Sequence, residues 1–127
     1  AIAHQLGGQF HIAHGLANSL LLTGVIALNA GKDVRALKRY TRLAKSCRLC
    51  PDAADDATAL AALIAHIRAL QQQVGVATTL SALNIGAEQV RSALPDIVRA
   101  AQADSTLKTN PCPVTDSDIA QLVEAIL

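Results

Sequence analysis

The sequence predicts an all-α, multi-helix domain, and three observations carry that prediction. Ala and Leu, two of the strongest helix formers, supply 43 of the 127 residues. Aromatic residues are 2% of the chain, with no Trp, one Phe (Phe10) and one Tyr (Tyr40), so the β-branched and aromatic runs that strands need are missing. Apolar positions recur at three- and four-residue spacing through most of the length. A chain of this size fits one domain and can bury an aliphatic core. With 51% hydrophobic residues and a net charge of +1, disorder is excluded, and no global field favours nucleic acid or membranes.

The elements follow in order. Ala1 to Leu6 suits a short helix, which the paired glycines Gly7-Gly8 are expected to end. Gln9 to Gly15 then reads as a loop. Leu16 to Ala30 is apolar on nearly every side and reads as a buried helix. Its 15 residues fall short of the roughly 20 that cross a bilayer. Asp33 caps a helix over Val34 to Leu49, with Leu37, Tyr40, Leu43, Ala44 and Cys47 inward, and Pro51 breaks it. Asp52 to Val74 reads as a long amphipathic helix. Asp52, Asp55 and Asp56 load its first turns, where the helix dipole favours negative charge, and Leu60, Leu63, Ile64, Ile67, Leu70 and Val74 form its stripe. Thr78 to Asn84 is a short turn. Ala87 to Ala103 is a helix with Val90, Leu94, Ile97 and Val98 inward, and Pro95 predicts a kink or a division in two. Ser105 to Val114, with Asn110-Pro111-Cys112-Pro113, is a rigid loop. Thr115 and Asp118 form a capping box, with Asp in place of Glu, for a last helix running to Leu127.

The chemistry concentrates near the start. Three of the four histidines, His4, His11 and His14, fall within eleven positions. Imidazole is a common metal ligand and the usual acid or base near neutral pH. A helix–loop–helix at this point would bring His4 and His14 together from either side of the loop; the alternative is three ordinary loop histidines. No His-Glu-x-x-His motif or nearby carboxylate completes a metal shell.

The run His4-Gln5-Leu6-Gly7-Gly8…His11-Ile12-Ala13-His14-Gly15-Leu16-Ala17-Asn18, with Leu20-Leu21-Leu22 and Asn29-Ala30 after it, resembles the iron-containing (group III) alcohol dehydrogenase family. The likeness is greatest to the aldehyde–alcohol dehydrogenase and ethanolamine-utilisation branch. Later pieces match in order: Gln73-Val74-Gly75-Val76, Leu80…Leu83-Asn84-Ile85-Gly86, Thr109-Asn110-Pro111 and Thr115…Asp118-Ile119. The resemblance covers essentially residues 1–127.

It implies the C-terminal helical, metal-binding domain of a two-domain enzyme with a dehydroquinate synthase-like fold, paired with an N-terminal nucleotide-binding domain. It implies Fe2+ or Zn2+ and NAD(P) as cofactors, with a short primary alcohol and its aldehyde as substrates. His14 corresponds to the last metal ligand. His4 corresponds to the non-ligand histidine beside the metal, which positions cofactor and substrate or relays the proton. The preceding ligand falls one position before Ala1. The remaining ligands and the glycine-rich nucleotide loop are expected further upstream. The chain opens on Ala1 rather than Met, as a processed product or a piece of something longer would. The metal would polarise the alcohol oxygen as a Lewis acid. Residues 1–127 by themselves are expected to be inactive. Ala13 replaces the family's usual Pro, and Cys112 follows Asn110-Pro111 where the family often has Arg. His11 is shared with the aldehyde–alcohol dehydrogenase branch only.

Other features have plainer readings. Cys47-Arg48-Leu49-Cys50 could nominally bind zinc with Cys112 or form a redox pair. No second motif completes either, and Cys47 is expected on the inner face of its helix. Seven of the eleven Lys and Arg residues lie between Lys32 and Arg48, and Arg35, Lys38, Arg39 and Arg42 share a face. The rival to an enzyme is a small interaction module using this basic helix. Without interleaved aromatics, a solvated face is the usual explanation and nucleic acid is not expected. His66 is expected at a helix surface. Three cysteines do not make a disulfide scaffold, and a reducing cytoplasm is the simplest setting. Apolar surface around Phe10, Ile12 and Leu16 is expected to be exposed and to favour self-association.

Overall fold

A computed structural model describes residues 1–127, and it is helical throughout, without a strand. The helices are α1 (Ile2–Phe10), α2 (His14–Lys32), α3 (Val34–Ser46), α4 (Asp56–Gln73), α5 (Ala87–Ala103) and α6 (Asp116–Glu124), with 3-10 turns at Ser81–Leu83 and Ser105–Thr109. None is long and apolar enough to cross a membrane. The chain forms two compact units, one of Ala1–Leu22 with Val76–Leu127 and the other of Thr23–Gly75.

In the first unit α5 packs against both α1 and α6. Leu6, Leu80, Val90, Ile97, Ile119 and Val123 are its largest fully buried side chains. The last residues are tied by hydrogen bonds: Leu80 N–H donates to the Ile126 carbonyl at 2.7 Å and the Ser81 hydroxyl to the Leu127 carbonyl at 3.0 Å. Arg91 spans α5 and α6 with two nitrogens on the Glu124 carboxylate, each at 3.1 Å. The expected capping box opens α6, with Thr115 and Asp118 bonding reciprocally. Pro95 lies inside α5 and does not divide it. Its ring is exposed, and the backbone donor it lacks leaves one carbonyl of the preceding turn without its helical partner.

In the second unit α3 packs on α4. Ala44, Ala59 and Leu63 form the buried contact, with Tyr40, Leu49, Cys50 and Ile67 around it. Two alanines at the crossing let the backbones approach closely. Asp33 caps α3 by accepting from the Arg35 and Ala36 amides, and Asp55 caps α4 by accepting from the Thr58 amide.

Several expectations need correcting. α1 does not end at Gly7-Gly8 but runs through both to Phe10, closing at His11 in the left-handed region (φ 55°, ψ 32°). Burial of Ile2, Ala3 and Leu6 outweighs the poor helix propensity of the glycines. α2 therefore begins earlier than Leu16, at His14, and the link between the helices is only residues 11–13. α4 begins at Asp56, not Asp52, because residues after Pro51 turn before Asp55 supplies the cap; Asp52 lies outside the helix. Its stripe is also shorter, since Leu70 and Val74 are exposed. Cys47 is exposed rather than inward because α3 stops at Ser46, and Leu43 is exposed as well; Thr41 and Ala44 take the inner face. Ile12 is buried rather than exposed, with Phe10 and Leu16 half-buried.

Candidate functional site

The short α1–α2 connection decides the geometry of the histidines. His4 projects from the first turn of α1, and His14 is the first residue of α2. The reversal at residues 11–13 brings the two rings into a stack, with centroids 5.3 Å apart and planes 25° apart. The sequence-level convergence of His4 and His14 is thus present, though the turn that creates it lies at His11 rather than at the glycines. Gly7 has its own part in this turn, because a Cβ there would stand 3.2 Å from the Ile12 carbonyl oxygen.

Each ring has a partner. His14 Nε2 lies 2.9 Å from Asn18 Nδ2, one turn on along α2, and the same amide donates to the His14 carbonyl at 3.1 Å. An amide nitrogen only donates, so Nε2 of His14 is the ring nitrogen that keeps its lone pair. His4 Nδ1 lies 2.6 Å from Oδ2 of Asp104, a residue 100 positions away that directly follows α5. The packing of α1 on α5 brings the two together. Asp104 is itself held. Its Oδ1 accepts from the Thr106 backbone N–H at 2.8 Å and from the Thr106 hydroxyl at 2.7 Å. The Thr106 hydroxyl, then His4, then the Thr106 amide hold the Asp104 carboxyl well below the usual carboxylate range. The carboxylate therefore accepts from Nδ1–H of His4.

Asp104 and Thr106 were not among the sequence candidates. A local signal was available: Asp104-Ser105-Thr106 directly after a helix has the Asx-turn pattern, in which the carboxylate bonds its own backbone two residues on. Nothing local points to His4, because that contact exists only through tertiary packing.

As a metal site these residues are incomplete. No group of three or more His, Cys, Asp or Glu side chains is placed to hold an ion. His4 Nδ1 is committed to Asp104, and the one lone pair on His14 Nε2 already accepts from Asn18, so an ion would bind there only in place of that hydrogen bond. One ligand does not make a site, since affinity needs ligand number and geometry together.

The other sequence candidates lie elsewhere. His11 is the exposed closing residue of α1, and His66 is exposed on α4. Cys47 is exposed, Cys50 half-buried and Cys112 buried, and none is in a disulfide. Asn110 Nδ2 donates to the Cys112 carbonyl at 2.9 Å. On the basic helix, Arg35 pairs with Asp33 at 3.0 Å and Lys38 with Asp56 at 2.7 Å, so two of the four cations on the face of Arg35, Lys38, Arg39 and Arg42 already serve the fold. Asp55 and Asp56 are likewise explained, one as a cap and the other by Lys38 and the Thr41 hydroxyl.

Comparison with known proteins completes the picture. The model of the Fe-containing alcohol dehydrogenase family, C-terminal, matches residues 1–127. The 1-propanol dehydrogenase PduQ of Citrobacter freundii is 53% identical over 127 residues, which is 100% of this chain and 34% of that protein. Its counterpart in Salmonella typhimurium is 51% identical over the same 127 residues, again 100% and 34%. Among solved structures, a crystal structure of 1,3-propanediol oxidoreductase superposes with a TM-score of 0.86, covering 99% of this chain and 31% of that one at 24% identity. The chain thus spans about a third of the length of the curated relatives it matches.

Proposed function

Because the chain belongs to the Fe-containing alcohol dehydrogenase family, we propose that it is the helical, metal-facing part of an enzyme that interconverts a short primary alcohol and its aldehyde with NAD(P). The observation that supports this most is the stacked pair of His4 and His14 inside the family match. In this reading His14 contributes one ligand to a divalent ion, iron or zinc, whose other ligands lie outside residues 1–127. His4, beside it, contacts cofactor and substrate.

Lewis-acid polarisation of the oxygen and hydride transfer belong to the metal and the nicotinamide when both are bound. What this chain's residues do is narrower. The Asn18 amide holds Nε2 of His14 unprotonated, and an ion bound there would take its place. Asp104 accepts a hydrogen bond from Nδ1–H of His4, leaving the other nitrogen as an acceptor. With 44% of its side chain exposed, His4 remains reachable for a ligand. A propanol-sized substrate is the natural first choice, given the 1-propanol dehydrogenases at 53% and 51% identity. A reducing cytoplasm suits three cysteines that form no disulfide.

The test joins residues 1–127 to the coding sequence upstream and assays NAD(P)-linked oxidation of C2 to C4 alcohols with Fe2+ or Zn2+. Turnover is expected in the longer protein, with loss of bound metal in His14→Ala, and neither turnover nor NAD(P) binding in residues 1–127 alone. A longer protein that oxidises none of these alcohols, or a His14→Ala variant that retains its full metal content, overturns the reading.

A further inference from the structure

We propose that Asp104, pinned by Thr106, is a positioning residue that holds His4 as its Nδ1–H tautomer, so that Nε2 is the nitrogen turned over to substrate or cofactor. The inference rests on the reading of His4 as the working histidine.

The geometry divides the Asp104 carboxylate between two tasks. Oδ1 is occupied by both donors of Thr106, at 2.8 and 2.7 Å, which fixes the rotamer. Oδ2 faces His4 Nδ1 at 2.6 Å, with 13% of the Asp104 side chain exposed. A carboxylate only accepts, so Nδ1 must carry the hydrogen and the neutral ring keeps its lone pair on Nε2. The same bond restrains the plane of the ring, which stacks 25° from that of His14. A free imidazole samples both tautomers and rotates. Here both freedoms are removed by a carboxylate that is itself held at its other oxygen. Neither Asp104 nor Thr106 need touch the reacting atoms for this to matter, because proton transfer requires the correct nitrogen in the correct state.

Asp104→Asn makes the inference sharp. The Thr106 amide needs an acceptor, so the new carboxamide turns its oxygen toward Thr106 and its NH2 toward His4. Nδ1 must then accept, and the hydrogen moves to Nε2. The shape is preserved and the tautomer is inverted. The test is the 15N shifts of the two His4 ring nitrogens in residues 1–127, read from long-range 1H–15N correlations at a pH where the ring is neutral. Wild type is expected to show a protonated Nδ1 and a bare Nε2, Asp104→Asn the reverse, and Asp104→Ala an average of the two. Wild type with the hydrogen on Nε2, or the same tautomer in wild type and Asp104→Asn, overturns the proposal. The wild-type spectrum tests it even where a variant does not fold. In the longer enzyme, Asp104→Asn is expected to lower kcat by about 10²–10⁴-fold with KM little changed. Full turnover by His4→Ala in that enzyme would instead overturn the role given to His4, and the shifts would still decide whether Asp104 sets its tautomer.

Discussion

The turn that faces His14 toward His4 can be probed through two adjacent glycines whose surroundings differ. Both lie inside α1, where replacing Gly by Ala ordinarily gains about 0.5–1 kcal/mol. At Gly8 a Cβ would meet nothing within 4 Å, so Gly8→Ala is expected to realise that gain in full. At Gly7 the same Cβ would stand 3.2 Å from the Ile12 carbonyl oxygen, inside ordinary contact, which begins at 3.4 Å. That oxygen cannot retreat freely. Ile12 is buried at 8% exposure, His11 before it is locked in the left-handed region, and the Ala13 carbonyl accepts from Ala17 in the first turn of α2. Overpacking against fixed neighbours costs about 1–3 kcal/mol, so Gly7→Ala is expected to end about 1 kcal/mol below wild type. At this chain length 1 kcal/mol moves Tm by about 2–8 °C. Thermal unfolding followed by far-UV circular dichroism should therefore shift upward for Gly8→Ala and downward for Gly7→Ala. The 15N shifts of His14 should move only in the latter. Equal upward shifts in both variants would refute the argument that Gly7 is required by the return of the chain at Ile12.

Two further outcomes follow from the packing and the charges. Ile97→Ala, at a fully buried position in the middle of α5, is expected to destabilise by about 2–5 kcal/mol in urea unfolding, against under about 0.5 kcal/mol for Val74→Ala, which is 70% exposed; equal losses would contradict the core assignment. Asp56 is held below its ordinary value of 3.8, first by Lys38 and then by Thr41. A carboxyl with a depressed folded pKa contributes stability that is fully present above the unfolded value and is lost as the pH falls through the folded one. The α3–α4 unit should therefore weaken below about pH 4, and Asp56→Asn should be less stable than wild type at pH 7 while showing a shallower decline in acid. A variant with the wild-type acid profile would mean that the Lys38–Asp56 pair contributes nothing measurable.

What was legible in the sequence was whatever local chemistry decides. The range of α5, the Asp33 cap and the Thr115–Asp118 box appear as expected because each depends on residues within one turn of one another. The histidine pair was legible for a similar reason, since only the short link at residues 11–13 separates the helices that carry them. What failed was decided at a distance. Two glycines cost α1 about 2 kcal/mol of propensity, a term that burying Leu6 can match with about 1.5–3 kcal/mol, but only once α5 is there to bury it. The phase of α3 was right for Ala44 and wrong for Cys47, because the helix ends one residue before the thiol.

Asp104 was the largest omission and follows the same logic. Its bond to Thr106 is local, while its bond to His4 crosses 100 positions and forms only when α1 lies on α5. The buried residues that seat α1, above all Leu6, therefore bear on the site without touching it. Asp104 directly follows α5, so loosening the packing of α1 on α5 is expected to withdraw the carboxylate from His4 while leaving the His14–Asn18 bond, local to α2, in place.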